Sequence, residues 1–307
     1  MSKIALLFPG QGAQTPGMGK DFFDSFAIAR ETFEEADDLL EERLSRIIFT
    51  GSAEELSATR YSQLGLFITS TAIFRVLGTQ FLDLKPQVVA GLSLGEYSAL
   101  CASGRLGFKE TLKLVQQRAL AMSEACRQRK GTMAAVLGLT AQEVEAALQG
   151  SAREVWLANY NSPGQLVISG TLEGVEWGSQ ELKARGAKRI IPLAVEGAFH
   201  SPLMQSAQDK LEPLILQTKI APSDVEQVFN SVGKTLKEEA EIKRALIEQV
   251  THSVRWEESM RSLQGIDQFF EVGAGKTLAG LHRRLGLEAP LCSIEKIDDL
   301  EQVACTC

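Results

Sequence analysis

The chain has 307 residues, 44% of them hydrophobic and 23% charged, with a formal charge of -7 at neutral pH. That length exceeds one typical domain, so either one large α/β unit or a main domain carrying a smaller insertion is expected. The acidic balance excludes general binding to nucleic acid or to an anionic membrane surface, which both favour a basic face, and leaves an acidic protein partner only a local basic patch.

No stretch approaches the roughly 18 uninterrupted apolar residues of a membrane span. The opening MSKIALLFPGQG has an apolar run too short for a signal-peptide core and reads as a strand entering a turn. Cysteines 101, 126, 292, 305 and 307 are odd in number and fit neither a disulfide framework nor a four-ligand zinc pattern, which suits a reducing cytoplasm. Cys305 and Cys307 form a C-x-C tail, a poor metal site at a frayed terminus.

In chain order, KIALLF reads as a strand, Asp21 to Asp38 as an amphipathic helix, Ser62 to Leu82 as a helix and VVAGL as a strand. Such alternation predicts a mostly parallel sheet covered by helices. From Thr132 to Val195 the rhythm becomes strand TMAAVLGL, helix TAQEVEAALQG, strands EVWLANY and QLVISG, helix EGVEWGSQELKARG and strand KRIIPLAV. This is the βαββαβ order of a ferredoxin-like unit. Ordinary alternation then resumes with QVFNS, a helix from Lys237 to Thr251, DQFFEVG, a helix from Thr277 and LCSIE. The expected division is a core of residues 1–127 and 198–307 with a ferredoxin-like insertion at 128–197.

The sharpest local feature is Gly91-Leu92-Ser93-Leu94-Gly95, between the strand VVAGL and the helix start EYSALCASG. A strand-to-helix elbow exposes a serine oxygen, and glycines avoid collision at the sharp turn. A bare GxSxG occurs by chance about once in ten chains of this length, and it is the strand before and the helix after that favour a nucleophile over a structural turn. A serine needs a base, and histidine is the usual one. His252 and His282 lie in or beside predicted helices, whereas His200 follows a strand and precedes Ser-Pro, in a loop at a strand end where active sites of open α/β sheets gather. No carboxylate stands in the obvious place to orient His200, so an amide or a backbone carbonyl is expected there, with the helix around Gln249 a candidate supplier.

Arg118 lies in a helical stretch from Lys109 to about Arg127. At roughly 100° per residue, Thr111, Leu114, Val115, Ala121, Met122 and Ala125 fall within about 60° of it, so it sits in the apolar stripe. A guanidinium there needs a carboxylate partner, either a structural ion pair or the carboxylate of a substrate held bidentately. The helix pattern leaves both open. The turn Pro9-Gly10-Gln11-Gly12-Ala13-Gln14 lacks P-loop and dinucleotide spacing, and an oxyanion role beside the Leu94 N–H is preferred to a plain turn. Glu271-Val-Gly-Ala-Gly-Lys276 also lacks P-loop spacing and reads as a tight strand-to-helix turn.

Taken together, FPGQGAQ, GLSLGEYSAL, the QxR of Gln116 to Arg118, NYNSPGQLVISG, GAFHSPLM and FEVGAGKTLAGL resemble, over nearly the whole chain, the malonyl-CoA:acyl carrier protein transacylases of type II fatty acid synthesis. The resemblance implies a hydrolase-like α/β core with a ferredoxin-like insertion. It also implies ping-pong transfer of malonyl from coenzyme A to Ser93 and then to the phosphopantetheine thiol of an acyl carrier protein. By motif position it makes Ser93 the nucleophile, His200 the base, Arg118 the malonyl carboxylate anchor, Gln249 the residue whose carbonyl orients His200, and Gln11 with Leu94 the oxyanion donors. No metal or redox cofactor is expected, and the chain is expected to act as a cytoplasmic monomer. Many bacterial members carry histidine where this chain has Leu92, which leaves the machinery intact and bears on packing at the pocket wall. The competing readings are a serine thioesterase or esterase on a related scaffold, and a catalytically silent scaffold that docks carrier proteins.

Overall fold

The computed structural model describes residues 2–305. Ten strands are present among them: β1 (Ile4–Phe8), β2 (Val88–Gly91), β3 (Thr132–Leu137), β4 (Val155–Ser162), β5 (Gln165–Gly170), β6 (Arg189–Pro192), β7 (Glu226–Phe229), β8 (Lys234–Thr235), β9 (Gln268–Val272) and β10 (Leu291–Ile294). Six build one sheet in the order β10-β9-β1-β2-β7-β8. All neighbours in it run parallel except the edge strand β8, which pairs antiparallel with β7. Every residue of β1, β2 and β9 is buried, as expected for strands covered by helices on both faces, whose sequence is apolar without alternation.

The helices carry the burial on either side. Helix Thr59–Gln80 is buried along most of its length, and helix Phe108–Gln128 lies against it, with Phe67 stacked on Phe108 at a centroid distance of 5.4 Å. The sheet brings the C-terminal ends of β1, β2 and β7 side by side. Gln11 follows the first, Ser93 the second and Asn230 the third, so the candidate site sits where ligands of open α/β sheets are held.

The remaining four strands form an antiparallel sheet in the order β4-β5-β3-β6. Helices Ala141–Leu148 and Leu172–Ala184 pack on it, and its residues form a separate hydrophobic cluster that includes Val136, Val144, Leu166, Ile168 and Leu182. Thr140 starts the first of these helices with a reciprocal capping box to Glu143, which satisfies two otherwise unpaired amides. The small sheet is bound to the large unit along β4, where Val254 N–H donates to Ala158 O at 2.8 Å and Tyr160 N–H to Val254 O at 2.9 Å.

Several elements differ from the sequence expectation. The helix expected over Asp21 to Asp38 is two, Lys20–Ser25 and Ala27–Leu40, because Phe26 is extended (φ -122°, ψ 123°). The break lets Phe22 stack on Phe26 and sends Phe23 and Phe33 against Phe49, so aromatic packing overrides local helical propensity. β6 stops at Pro192, which has no N–H to donate to a ladder. Helix Gln205–Gln217 and strand β8 carry no period strong enough to mark them in the sequence.

Candidate active site

Gly91 and Gly95 bracket the elbow because the chain passes through itself too closely for side chains. A Cβ on Gly91 would collide with the backbone of Gly95, and one on Gly95 with Phe8 O. Between them Ser93 adopts φ +51°, a left-handed conformation costly for a residue with a side chain and held only where the surroundings over-determine it. Here the surroundings are two side-chain amides. Ser93 N–H donates to Asn230 Oδ1 at 2.6 Å, and Gln249 Nε2 donates to Ser93 O at 3.0 Å.

His200, only 5% exposed, also has a positive φ, +56°. Its Nδ1 lies 2.8 Å from Gln249 O and its Nε2 2.8 Å from Ser93 Oγ. A carbonyl can only accept, so Nδ1 carries the proton and Nε2 offers its lone pair to the serine hydroxyl. Burial first, and then the positive charge of Arg118, push the His200 pKa down to about 4, against the raising effect of the hydrogen bond to Gln249. The imidazole is therefore neutral at pH 7, the form in which it can take a proton.

Arg118 is 1% exposed. Its guanidinium donates to Gln63 Oε1 at 2.5 Å, to Gln249 Oε1 at 2.9 Å and to Ser93 Oγ at 3.0 Å, and lies 5.5 Å from the centre of the Tyr97 ring. Every hydrogen-bond acceptor is neutral, and no carboxylate among the described residues forms an ion pair with it. Its Nε is buried without an acceptor. Burial holds its pKa below the usual arginine value. A guanidinium so placed costs several kcal/mol until an anion compensates it.

Glu96, at the start of helix Gly95–Ala102, is fully buried. Its Oε2 accepts the Asn230 N–H at 2.6 Å, and burial pushes its pKa up to about 8 despite that bond and the nearby charge of Arg118. Its carboxyl is mostly protonated at pH 7. Gln11 is half-buried beyond β1, and the backbone N–H groups of Gln11 and Leu94 donate to no described residue, which leaves two donors free at the ends of β1 and β2. Leu92 packs its side chain on the cluster behind the sheet that contains Leu7, Ala90 and Leu278.

The structure thus brings Ser93, His200, Arg118 and Gln249 into one hydrogen-bonded group. Sequence reasoning passed over Gln63, Glu96 and Asn230, all buried polar residues in apolar segments. His282 lies elsewhere, its Nε2–H donating to Ala289 O at 2.7 Å. The turn at 271–276 is closed by the chain itself: the Glu271 carboxylate accepts from Leu278 and Ala279 N–H at 2.8 and 3.0 Å, filling the helix N-terminus where a phosphate would sit. Cys101, Cys126, Cys292 and Cys305 are free thiols, Cys307 lies outside the described residues, and no metal-ligand cluster occurs among the described residues.

Residues 5–284 match the model of the acyl transferase domain. The chain is 42% identical over 306 residues to the malonyl CoA-acyl carrier protein transacylase of Bacillus subtilis, covering 98% of this chain and 96% of the relative. It is 39% identical to that of Escherichia coli K12, covering 93% of each. Among solved structures it superposes with a TM-score of 0.95 and 35% identity, over 100% of both chains, on a malonyl-transacylase in complex with a type II polyketide synthase acyl-carrier protein. A malonyltransferase from Bartonella henselae gives 0.94 and 37% over 99% of both chains. With a family model spanning most of its length and relatives this similar over nearly all of it, the chain belongs to the acyl transferase family.

Proposed function

We propose that this chain transfers malonyl from malonyl-CoA to the phosphopantetheine thiol of an acyl carrier protein through an ester on Ser93. The observation that carries this reading is the buried Arg118 guanidinium, surrounded by neutral acceptors and within 3.0 Å of Ser93 Oγ. A malonyl group esterified to that oxygen has its free carboxylate two carbons from the ester carbonyl carbon, close enough to fold back onto the fork. An acetyl group has nothing to offer it.

In the first half-reaction His200 Nε2 takes the Ser93 proton as Oγ attacks the thioester carbonyl. The tetrahedral oxyanion forms against the N–H groups of Gln11 and Leu94, each worth about 3 kcal/mol in such a role. Collapse breaks the C–S bond, the imidazolium returns the proton to the coenzyme A thiolate, and the acyl-serine remains. In the second half the carrier thiol gives its proton to His200, attacks the ester and releases Ser93 Oγ, which is reprotonated. Gln249 O holds the Nδ1 proton throughout and stabilises the imidazolium. The steps need no metal or redox group.

The same reading takes residues 1–127 and 198–307 as the catalytic core and 128–197 as a subdomain beside it, in a monomer that works in the cytoplasm. The names of the similar proteins support the malonyl and carrier assignments. The competing thioesterase reading differs only in the acceptor. Free coenzyme A released from malonyl-CoA, followed with and without holo carrier protein, separates them: sustained turnover only with the carrier is the expected result, and equal turnover in water alone would make the chain a hydrolase.

A further inference from the structure

Away from the serine, a second arginine is buried without compensation. Arg105, in the turn between helices Gly95–Ala102 and Phe108–Gln128, is 2% exposed. Its Nε is sealed from solvent with no acceptor, its side chain donates no hydrogen bond to any described residue, and it forms no ion pair among them. Only its backbone is engaged: the N–H donates to Leu100 O, and the carbonyl accepts from Ala221 at 2.9 Å. A cavity of about 540 Å³ opens over it, bounded by the 220–226 segment, β8 and the start of helix Glu239–Glu248. That helix begins at Glu238 with no side-chain cap on its first-turn amides, so the cavity meets a buried cation on one side and uncapped helix donors on the other.

We propose that this cavity binds a small monocarboxylate whose far end carries a positive charge or hydrogen-bond donors. An unpaired guanidinium favours an anion at the floor. The walls limit which anion. Asp224, Glu226 and Glu238 line the cavity, with Asp224 and Glu238 exposed at its mouth, and none of the three forms an ion pair among the described residues. Among the described residues Lys237 is the one cation lining that mouth, and Glu239 is already held by Lys243 at 2.8 Å and by the Ile220 N–H at 3.2 Å. A multiply charged anion would meet repulsion on entry, whereas a zwitterion would place its carboxylate on Arg105 and its cation among the rim carboxylates. The Thr235 hydroxyl, which also lines the cavity, donates to no described residue and adds a neutral contact.

The test uses the whole chain and β-alanine, acetate and inorganic phosphate as probes at constant ionic strength. Saturation-transfer NMR on the β-alanine methylenes should give a saturable signal that acetate displaces weakly and phosphate does not displace. Arg105→Gln should weaken it at least tenfold while malonyl transfer, measured as the folding control, stays at the wild-type rate. Glu238→Gln combined with Asp224→Asn, two exposed substitutions that leave the floor intact, should remove the preference for β-alanine over acetate. A signal that does not saturate, that phosphate displaces as well as acetate does, or that survives Arg105→Gln overturns the proposal. Should Arg105→Gln fail to fold, an unchanged β-alanine preference in the rim variant overturns it instead.

Discussion

Asn230 Oδ1 accepts the backbone N–H of Ser93 at 2.6 Å while Asn230 Nδ2 donates to Gly91 O at 2.8 Å. One side chain at the end of β7 thereby ties both arms of the elbow that ends β2. Among the described residues nothing else accepts the N–H of the left-handed Ser93. Asn230→Ala should therefore lower kcat for malonyl transfer about 10- to 100-fold with little change in KM, since the loss falls on alignment of Oγ with His200 and not on the acyl group. Stability should fall by about 1–3 kcal/mol for the buried groups left unpaired. Asn230→Asp retains the acceptor for Ser93 and should recover part of the rate; stopped-flow acylation together with thermal melts checks both. Equal kinetics in wild type and Asn230→Ala would leave the residue a purely structural one.

Among the described residues Arg118 is the only charged donor at Ser93 Oγ, and Arg118→Ala removes it. The expected outcome is a fall in malonyl kcat/KM of at least 100-fold, with acetyl transfer unchanged or raised, because an acetyl group never compensated the buried charge. Parallel assays with malonyl-CoA and acetyl-CoA read this directly. Equal loss for both donors would mean that Arg118 serves the fold through Gln63 and Gln249.

The acid limb of the acylation rate should lie near pH 4, not near the ordinary histidine value, because burial and Arg118 depress His200. The base is active when neutral, so the rate should stay flat from pH 7 down to about 5 and fall only below that. The same shift acts on stability. Between the ordinary histidine value of about 6.5 and a pH of about 4 the unfolded chain binds a proton that the folded chain refuses, so stability falls as pH falls. A pre-steady-state pH profile, with melts in the same buffers, tests both.

Glu96 acts in the opposite sense. Its folded pKa is raised to about 8, so its contribution is fully present below the unfolded carboxylate value and is lost as pH rises from there to about 8. One proton corresponds to a slope of about 1.4 kcal/mol per pH unit. Glu96→Gln, which keeps an acceptor for the Asn230 N–H, should flatten that slope in urea titrations at pH 5 to 8.

Much of the site was legible because its chemistry is local. Gly91 and Gly95 mark the elbow through steric need, His200 stands at a strand end, and Arg118 interrupts an apolar helix face whose period is visible in the chain. The partners that hold these groups are not local. Asn230 lies 137 residues from Ser93, and Gln63 lies 55 from Arg118; their roles arise from the sheet order, which places β7 next to β2. The only trace they leave in the sequence is polarity where burial is expected, as with Glu96 in an otherwise apolar helix start. The parallel sheet and the βαββαβ unit were readable from alternating periods, whereas the break at Phe26 depends on contacts with Phe49 that no local pattern encodes.

The most direct test of the account is intact-protein mass after brief exposure to malonyl-CoA, with peptide mapping, followed by addition of holo acyl carrier protein. A single malonyl adduct on Ser93 that disappears as malonyl-carrier forms, with none in Ser93→Ala and little from acetyl-CoA, is the predicted result. Absence of an adduct on the wild-type chain, or an adduct that persists in Ser93→Ala, would contradict it.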